Sequence, residues 1–389
     1  MKSGQFFRNA RRSALWPDAE AVHRTSVSKA RKKVCWQLFE DILDQAVNLA
    51  YDCFPESPKY LWHGISVFAV DGSNFDLPAT DEIRAEFDPK SGLQNRGKGH
   101  YPQALVSTLY DVFRRLPIAR TVVPINSSER EEAKELARHF PAGSVALFDR
   151  GYPSYEFICH LIKEFAGYFI FRCPSTRTFP AVEAFIQSGK EEGTIWIDPS
   201  ANYLNKVGRK NKNRLKPIKL RIVKLVSPDG TVSVLLTNLH NRREFPRSEI
   251  IDLYFRRWEV ENYYRDEKVT LEIEKFHGKT CNSIRQELLA AVIMSVISRT
   301  LMAISDQTPE THLGGEPQFK NAIMTLASEA AILAPENPAE SLEIFAEILR
   351  EIHRVRHYIP KKTRSSQPRV TKRRQGKWAI SKTKKVLKA

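Results

Sequence analysis

Two aspartates and a glutamate in this chain sit where acids can do chemistry as well as solvate a surface. Asp71 follows the apolar run ISVFAV (65–70) and opens Asp71-Gly72-Ser73, and Asp149 closes SVALFD (144–149) and opens Asp149-Arg150-Gly151-Tyr152. Each is expected at the end of a buried strand that opens into a turn, the place where mixed α/β sheets put their sites. The third acid, Glu261, lies in YFRRWEVENYYRDEK, where Tyr254, Arg257, Glu261 and Lys268 fall at offsets 0, 3, 7 and 14. At about 100° per residue these four project within an arc of about 60° along about 21 Å of one helix. Singly, each feature is common: a strand-end Asp forms turns, and a charged stripe is the ordinary solvated face of a helix. Together, three acids from two strand ends and one facing helix can converge. Bare carboxylates a few Å apart raise one another's pKa. Magnesium or manganese relieves this, because hard divalent cations take carboxylate oxygens and keep waters. Two such ions about 3.5–4 Å apart could activate an attacking water and stabilise the leaving oxygen of a phosphodiester. Arg257 and Lys268 would then hold phosphates.

Other residue types give no competing site. His63, His100, His160 and His240 lack metal-ligand spacing. Ser73 has no G-x-S-x-G context, and Gly72 and Gly151 belong to no phosphate-cradling loop, so ATP dependence is not expected. Five cysteines (Cys35, Cys53, Cys159, Cys173, Cys281) are scattered without C-x-x-C spacing, which suits a reducing cytoplasm. The N-terminus has no secretory h-region. The longest apolar run, Leu288 to Ile297, is too short to span a bilayer, so a soluble, cytoplasmic protein is expected.

Charge points to a polyanion. Of the net +16 over 389 residues, residues 1–34 contribute nine Lys/Arg against two acids, and residues 353–389 contribute fourteen Lys/Arg and no acid. Basic ends around a mildly acidic body suit a nucleic acid gripped at several points. The tail is poor in apolar residues, so a chain ending at Ile352 is expected to fold and to bind DNA more weakly without losing sequence preference.

The elements that must carry the acids follow from periodicity. Residues 26–55 predict one helix with Ser28 at its N-cap, and strands are expected at 65–70, 103–112, 116–124, 144–149 and 167–173. Helices are expected at 127–139, with a Ser128/Glu131 capping box, and at 154–165. The order β-β-β-α-β-α-β implies a mixed sheet with helices on its faces. Residues 174–246 change texture, with the alternating segments GTIWID (193–198), KLRIVKLV (219–226) and VSVLLTNL (232–239) predicting an antiparallel β insertion. Its residues 206–224 carry nine Lys/Arg and no acid. From Arg247 to about Lys275 the pattern is helical, and 287–304 predicts a mostly buried helix.

The segment Y-x2-R-x3-E-x6-K, with YFRRWEVE around it, resembles the YREK signature of bacterial insertion-sequence transposases of the IS-four and Tn-five type. Asp71-Gly72-Ser73 and Asp149-Arg150-Gly151-Tyr152 match that family's two Asp motifs, in the required order, and the resemblance covers about residues 60–300. It implies an α/β fold with an RNase H-like mixed-sheet catalytic core and an antiparallel β insertion; the termini show no motif to carry over, and the helical N-terminal region and basic C-terminal tail rest on periodicity and charge. The expected division is 1–58 (helical, DNA-binding), 59–173 and 247–305 (two parts of the core), 174–246 (insertion) and 306–389 (helical region with basic tail). It implies a catalytic triad of Asp71, Asp149 and Glu261 holding two Mg2+ or Mn2+ ions, with Tyr254, Arg257 and Lys268 on DNA near the cleaved end. It further implies cut-and-paste transposition by nicking, hairpin formation and strand transfer, on terminal inverted repeats and target DNA, by a homodimer in the synaptic complex. The family's insertion supplies a Trp for a flipped base. Trp196 is the only Trp in this insertion, but no local motif fixes the match. The alternatives are a nuclease of the same fold without strand transfer, an inactive DNA-binding relic, and a glycosidase using Asp71 and Asp149. The basic tail and the helix-borne cations argue against the last.

Overall fold

The computed structural model describes residues 22–88, 101–207, 215–227, 230–307, 314–329 and 338–357, with isolated residues before 22. The apolar runs of the first half become the centre of one eight-stranded sheet. Its strands are β1 (Val67–Asp76), β2 (Gln103–Asp111), β3 (Leu116–Pro124), β4 (Val145–Phe148), β5 (Tyr168–Pro174), β6 (Glu192–Ile197), β7 (Ile218–Val226) and β8 (Val232–Thr237), in the order β3-β2-β1-β4-β5-β8-β7-β6. β1, β2 and β3 form an antiparallel meander, while β4 and β5 run parallel to β1. This mixed α/β arrangement fits an RNase H-like core.

Helices cover both faces, so the central strands are apolar on both sides. On one face Phe68, Val70, Ala146, Phe148, Phe169 and Phe171 meet α2 (Gln37–Cys53), α4 (Glu129–Leu136) and α5 (Tyr155–Glu164). On the other, Val67, Ala69, Val145, Leu147 and Ile170 meet α8 (Arg247–Phe255) and α9 (Trp258–Val269). Each fully buried aromatic such as Phe148 contributes about 1.5–3 kcal/mol. The helix Cys281–Ser305 (α10, after α1 Arg24–Lys33, α3 Asp81–Phe87, α6 Pro180–Gln187 and α7 Ala201–Val207) is long and apolar enough to cross a membrane. In this fold it is largely buried, packed against α2 and β3. Its Ser295 and Thr300 hydroxyls donate back to the carbonyls of Ala291 and Val296, which lets polar residues sit in an apolar contact.

Local expectations gave way in four places. The helix expected over 26–55 is two, α1 and α2, and α1 is capped by His23. Asn282 and Gln286 of α10 satisfy the freed backbone: Asn282 accepts from the Trp36 amide, and both side chains donate to the Val34 carbonyl. Ser128 precedes α4 but makes no side-chain cap bond, and Glu131 pairs with Lys134 instead. β1 does not stop at Val70, because β2 pairs with it from Phe68↔Asp111 to Asp76↔Gln103. The helix expected from Arg247 to about Lys275 is divided into α8 and α9. The amides of Arg256, Arg257, Glu259 and Val260 bond three residues back, a 3₁₀ constriction that turns one helix against the other.

β7 pairs antiparallel with both β6 and β8, and β8 pairs antiparallel with β5, so this segment extends the main sheet. Two bases of its run serve the fold. Arg221 is buried on Glu192 and the carbonyls of Leu239 and Phe245, and Lys224 pairs with Glu191. Residues 208–214 lie outside the described residues, as does the tail from 358. The fold includes residues to His357: Ile352 is fully buried, Arg356 pairs with Asp306 at 2.7 Å, and Arg356–His357 pairs with Glu316–Pro317. A chain ending at Ile352 would lose the Arg356 ion pair and the Arg356–His357 strand, so the truncation that spares the described contacts begins at 358.

Candidate active site

Register brings the two aspartates together. The last pair between β1 and β4 is Val70↔Phe148, so Asp71 and Asp149 follow at the same level on neighbouring strands. Asp71 continues the side of Val67 and Ala69, the face covered by α8 and α9. Tyr254, Val260, Tyr263 and Tyr264 bury themselves in that face and carry Glu261 over the strand ends. The Tyr264 hydroxyl lies 2.7 Å from the Asp71 carbonyl and 3.0 Å from that of Val106, tying α9 to β1 one turn beyond Glu261.

Arg257 lies among the acids. Its side chain is 4 % exposed, with Nη2 donating to Glu261 Oε1 at 2.7 Å and Nη1 3.8 Å from Asp71 Oδ2. Nε and Nη1 are buried without a hydrogen-bond partner. The Tyr254 hydroxyl stands 3.5 Å from Asp149 Oδ1. Lys268 sits further along β1, donating to Ser73 Oγ at 2.9 Å and the Asn74 carbonyl at 2.6 Å, above the ring of Phe75. Five of the six residues singled out in the sequence thus gather at one point, with Lys268 adjacent. They do so across two helices rather than along one straight face. Both cations engage internal partners instead of solvent.

Trp196 is not brought to this point. It is exposed on edge strand β6, four strand spacings from β4, about 19 Å away. Gly193, through Ile222, Leu236 and Phe171, is the β6 residue level with Phe148, so Trp196 lies beyond it toward the opposite end of the sheet.

Burial pushes the Asp71 carboxyl up to about 7, with Glu261 and Asp149 adding to the rise and Arg257 opposing it. Among the described residues no three carboxylates, imidazoles or thiols are placed to grip one ion together. The donor chemistry nevertheless suits a hard divalent cation: oxygens from separate elements, a carboxyl whose negative charge its burial and acidic neighbours disfavour, and a guanidinium already drawn among them. Between about pH 4 and pH 7 the native chain keeps a proton on Asp71 that the unfolded chain has lost. Metal-free stability therefore falls as pH rises through that window, by roughly 4 kcal/mol at most. Thermal melts in chelator at pH 5 and pH 8 are expected to show this loss in the wild type and a smaller loss in Asp71→Asn. Added Mn2+ at pH 8 should recover the wild type more than the variant.

Tyr264 was missed in the sequence, although its position three residues beyond Glu261 puts it on the same helix face. A buried phenol between two strands leaves no local signature.

A mixed sheet thus sets two aspartates side by side beneath a helix-borne glutamate. Residues 62–297 match the family described as Transposase DDE domain, and the chain belongs to that family. It is a DNA transposase, an enzyme of strand cleavage and transfer. The chain is 22% identical over 364 residues to Transposase InsG for insertion sequence element IS4 of Escherichia coli (strain K12), covering 92% of this chain and 78% of that protein. It is 29% identical over 192 residues to y4zB of Sinorhizobium fredii (strain NBRC 101917 / NGR234), 49% of this chain and 51% of that relative. A cryo-EM structure of a piggyBac transposase synaptic complex with hairpin DNA aligns with a TM-score of 0.41 and 10% identity, covering 78% of this chain and 60% of that one.

Proposed function

We propose that Asp71, Asp149 and Glu261 are the catalytic triad of a cut-and-paste insertion-sequence transposase. The observation that carries this is the meeting of Asp71 and Asp149 at one sheet level with Glu261, which shares Arg257 with Asp71. These three carboxylates would hold Mg2+ or Mn2+, two ions in all. When bound, such ions supply an acidified water and neutralise charge on the scissile phosphate. Tyr254, Arg257 and Lys268 would meet DNA near the cleaved end. For Arg257 and Lys268 this means exchanging an internal partner for a phosphate oxygen, which a guanidinium does well in bidentate form. The buried Nε and Nη1 of Arg257 are donors in want of such an acceptor.

In this reading residues 59–173 and 247–305 form an RNase H-like core interrupted by the 174–246 strands. Residues 1–58 would bind DNA, and 306–389 add a helical region with the basic tail. Two protomers would act together on terminal inverted repeats of double-stranded DNA and on target DNA. The work would be done in the cytoplasm at the nucleoid, consistent with five free cysteines. The full chain incubated with DNA spanning its own flanking element ends and Mn2+ is expected to yield ends closed as hairpins, seen as fragments of doubled length on denaturing gels. Breaks that never close or join would replace this reading with that of a nuclease.

A further inference from the structure

The strand ends that carry the two aspartates have two unlike faces. On one, α8 and α9 bring Tyr254, Arg257 and Lys268, the proposed contacts to DNA near the cleaved end. On the other, where α4 and α5 pack, a cavity of about 340 Å³ opens beside the turn after Asp149, and Arg130, Lys134, Ser154, Tyr155 and Tyr203 help to line it. Arg130 donates from Nε to the Gly151 carbonyl at 3.0 Å, and Gly151 lies within about 7 Å of Asp149 along the chain. Arg130 is exposed and has no ion-pair partner among the described residues, whereas Lys134 is taken up by Glu131 at 2.8 Å and Glu156 at 3.1 Å. The basic run 206–224 reaches the sheet at this same place. Tyr203 and Leu215 pack on this face, the rings of Tyr155 and Tyr203 lie 5.6 Å apart, and the Tyr155 hydroxyl donates to the Lys216 carbonyl at 2.7 Å. Lys216 is exposed and likewise has no ion-pair partner among the described residues.

In-line phosphoryl transfer sets the attacking and leaving oxygens on opposite sides of the phosphorus. In strand transfer the 3′-oxygen of the element end bonds to a target phosphorus and the target's own P–O3′ bond breaks. The attacking hydroxyl loses its proton to water, and the departing oxygen takes one up. With the element end held by α8 and α9, the target strand departs across the acids toward α4 and α5. We infer that this second face, with Arg130 and Lys216 as phosphate contacts, binds the backbone of target DNA; this rests on the transposase reading and its proposed triad. Contacts of this kind carry no sequence information, so they would not discriminate between target sequences. The competing role for Arg130 is to pin the Gly151 turn, and Asp149 with it.

The full-length chain, given pre-cleaved element ends, an unrelated plasmid and Mn2+, separates the two. Arg130→Ala and Lys216→Ala are each expected to lower joining to the plasmid about tenfold or more, the effect of one lost charge-assisted contact. Cleavage of intact ends and gel-shift affinity for end DNA should stay as in the wild type. Arg130→Lys should restore part of the joining, because the charge remains although the fork is lost. In chelator, the complex assembled on pre-cleaved ends should retain less labelled plasmid fragment in both alanine variants. End cleavage lost as strongly as joining in Arg130→Ala, or joining unchanged in either alanine variant, overturns the inference. A wild-type chain that cleaves ends but joins none to plasmid overturns the transposase reading beneath it.

Discussion

Asp71→Asn, Asp149→Asn and Glu261→Gln are each expected to lower cleavage of element-end DNA by about 10³-fold or more, with binding of the same DNA retained. A single oriented charge at a reacting centre commonly accounts for 10²–10³ in rate, and these carboxylates would also anchor the ions that supply the nucleophile. The amides keep the shape of the acids, so packing around β1, β4 and α9 is preserved. Asp71→Asn removes repulsion, because Asp71 is already pushed up to about 7 by burial, Glu261 and Asp149. A folded, slightly stabilised and inactive variant is the signature of an active-site acid held under strain. Glu267, six residues past Glu261, has the contrasting design. Fully buried, it takes Arg120 Nη2 at 2.7 Å and the Tyr263 hydroxyl at 2.7 Å, and so locks α9 onto β3. End cleavage on denaturing gels and gel shifts on the same duplex decide the matter. Retained cleavage in any one of the three breaks the triad.

The acids were legible because their signals are local. An apolar run ending in an Asp with a Gly within two residues, once as Asp71-Gly72 and once as Asp149-Arg150-Gly151, marks two carboxylates at strand ends, and the YREK spacing adds a third. The order of strands and helices along the first half of the chain followed from the same apolar runs, whereas the order of strands within the sheet did not. What escaped is set by distant partners. The break at residues 34–36 depends on Asn282 and Gln286, which lie nearly 250 residues away. The continuation of β1 to Asp76 depends on β2, since pairing decides where a strand ends. The arc drawn over Tyr254–Lys268 assumed 3.6 residues per turn, and the 3₁₀ constriction at Arg256 and Arg257 breaks that assumption while still bringing the same side chains together.

Arg257→Ala should produce a loss and a gain that no surface arginine would combine. In the metal-free chain the guanidinium is the one described cation in contact with both Asp71 and Glu261, at 3.8 and 2.7 Å, and is almost wholly buried. Removing one partner of such a buried pair leaves uncompensated charge and costs about 3–5 kcal/mol, so the variant should melt well below the wild type in chelator. Mn2+ brings positive charge to the same carboxylates, and binding to the native state alone stabilises it. The variant should therefore regain more of its melting temperature on adding Mn2+ than the wild type does, and bind Mn2+ more tightly without DNA. With DNA the balance reverses: the lost phosphate contact should cut cleavage about 10²-fold or more and lower the salt slope of binding by about 0.9. Arg257→Lys should restore part of the metal-free stability but little cleavage, because an ammonium cannot span two carboxylates or grip a phosphate in a fork. Melting curves with and without Mn2+, set beside cleavage rates for both variants, test this directly. An unchanged melt in chelator, together with a wild-type response to Mn2+, would mean that Arg257 does not stand in for the metal between Asp71 and Glu261.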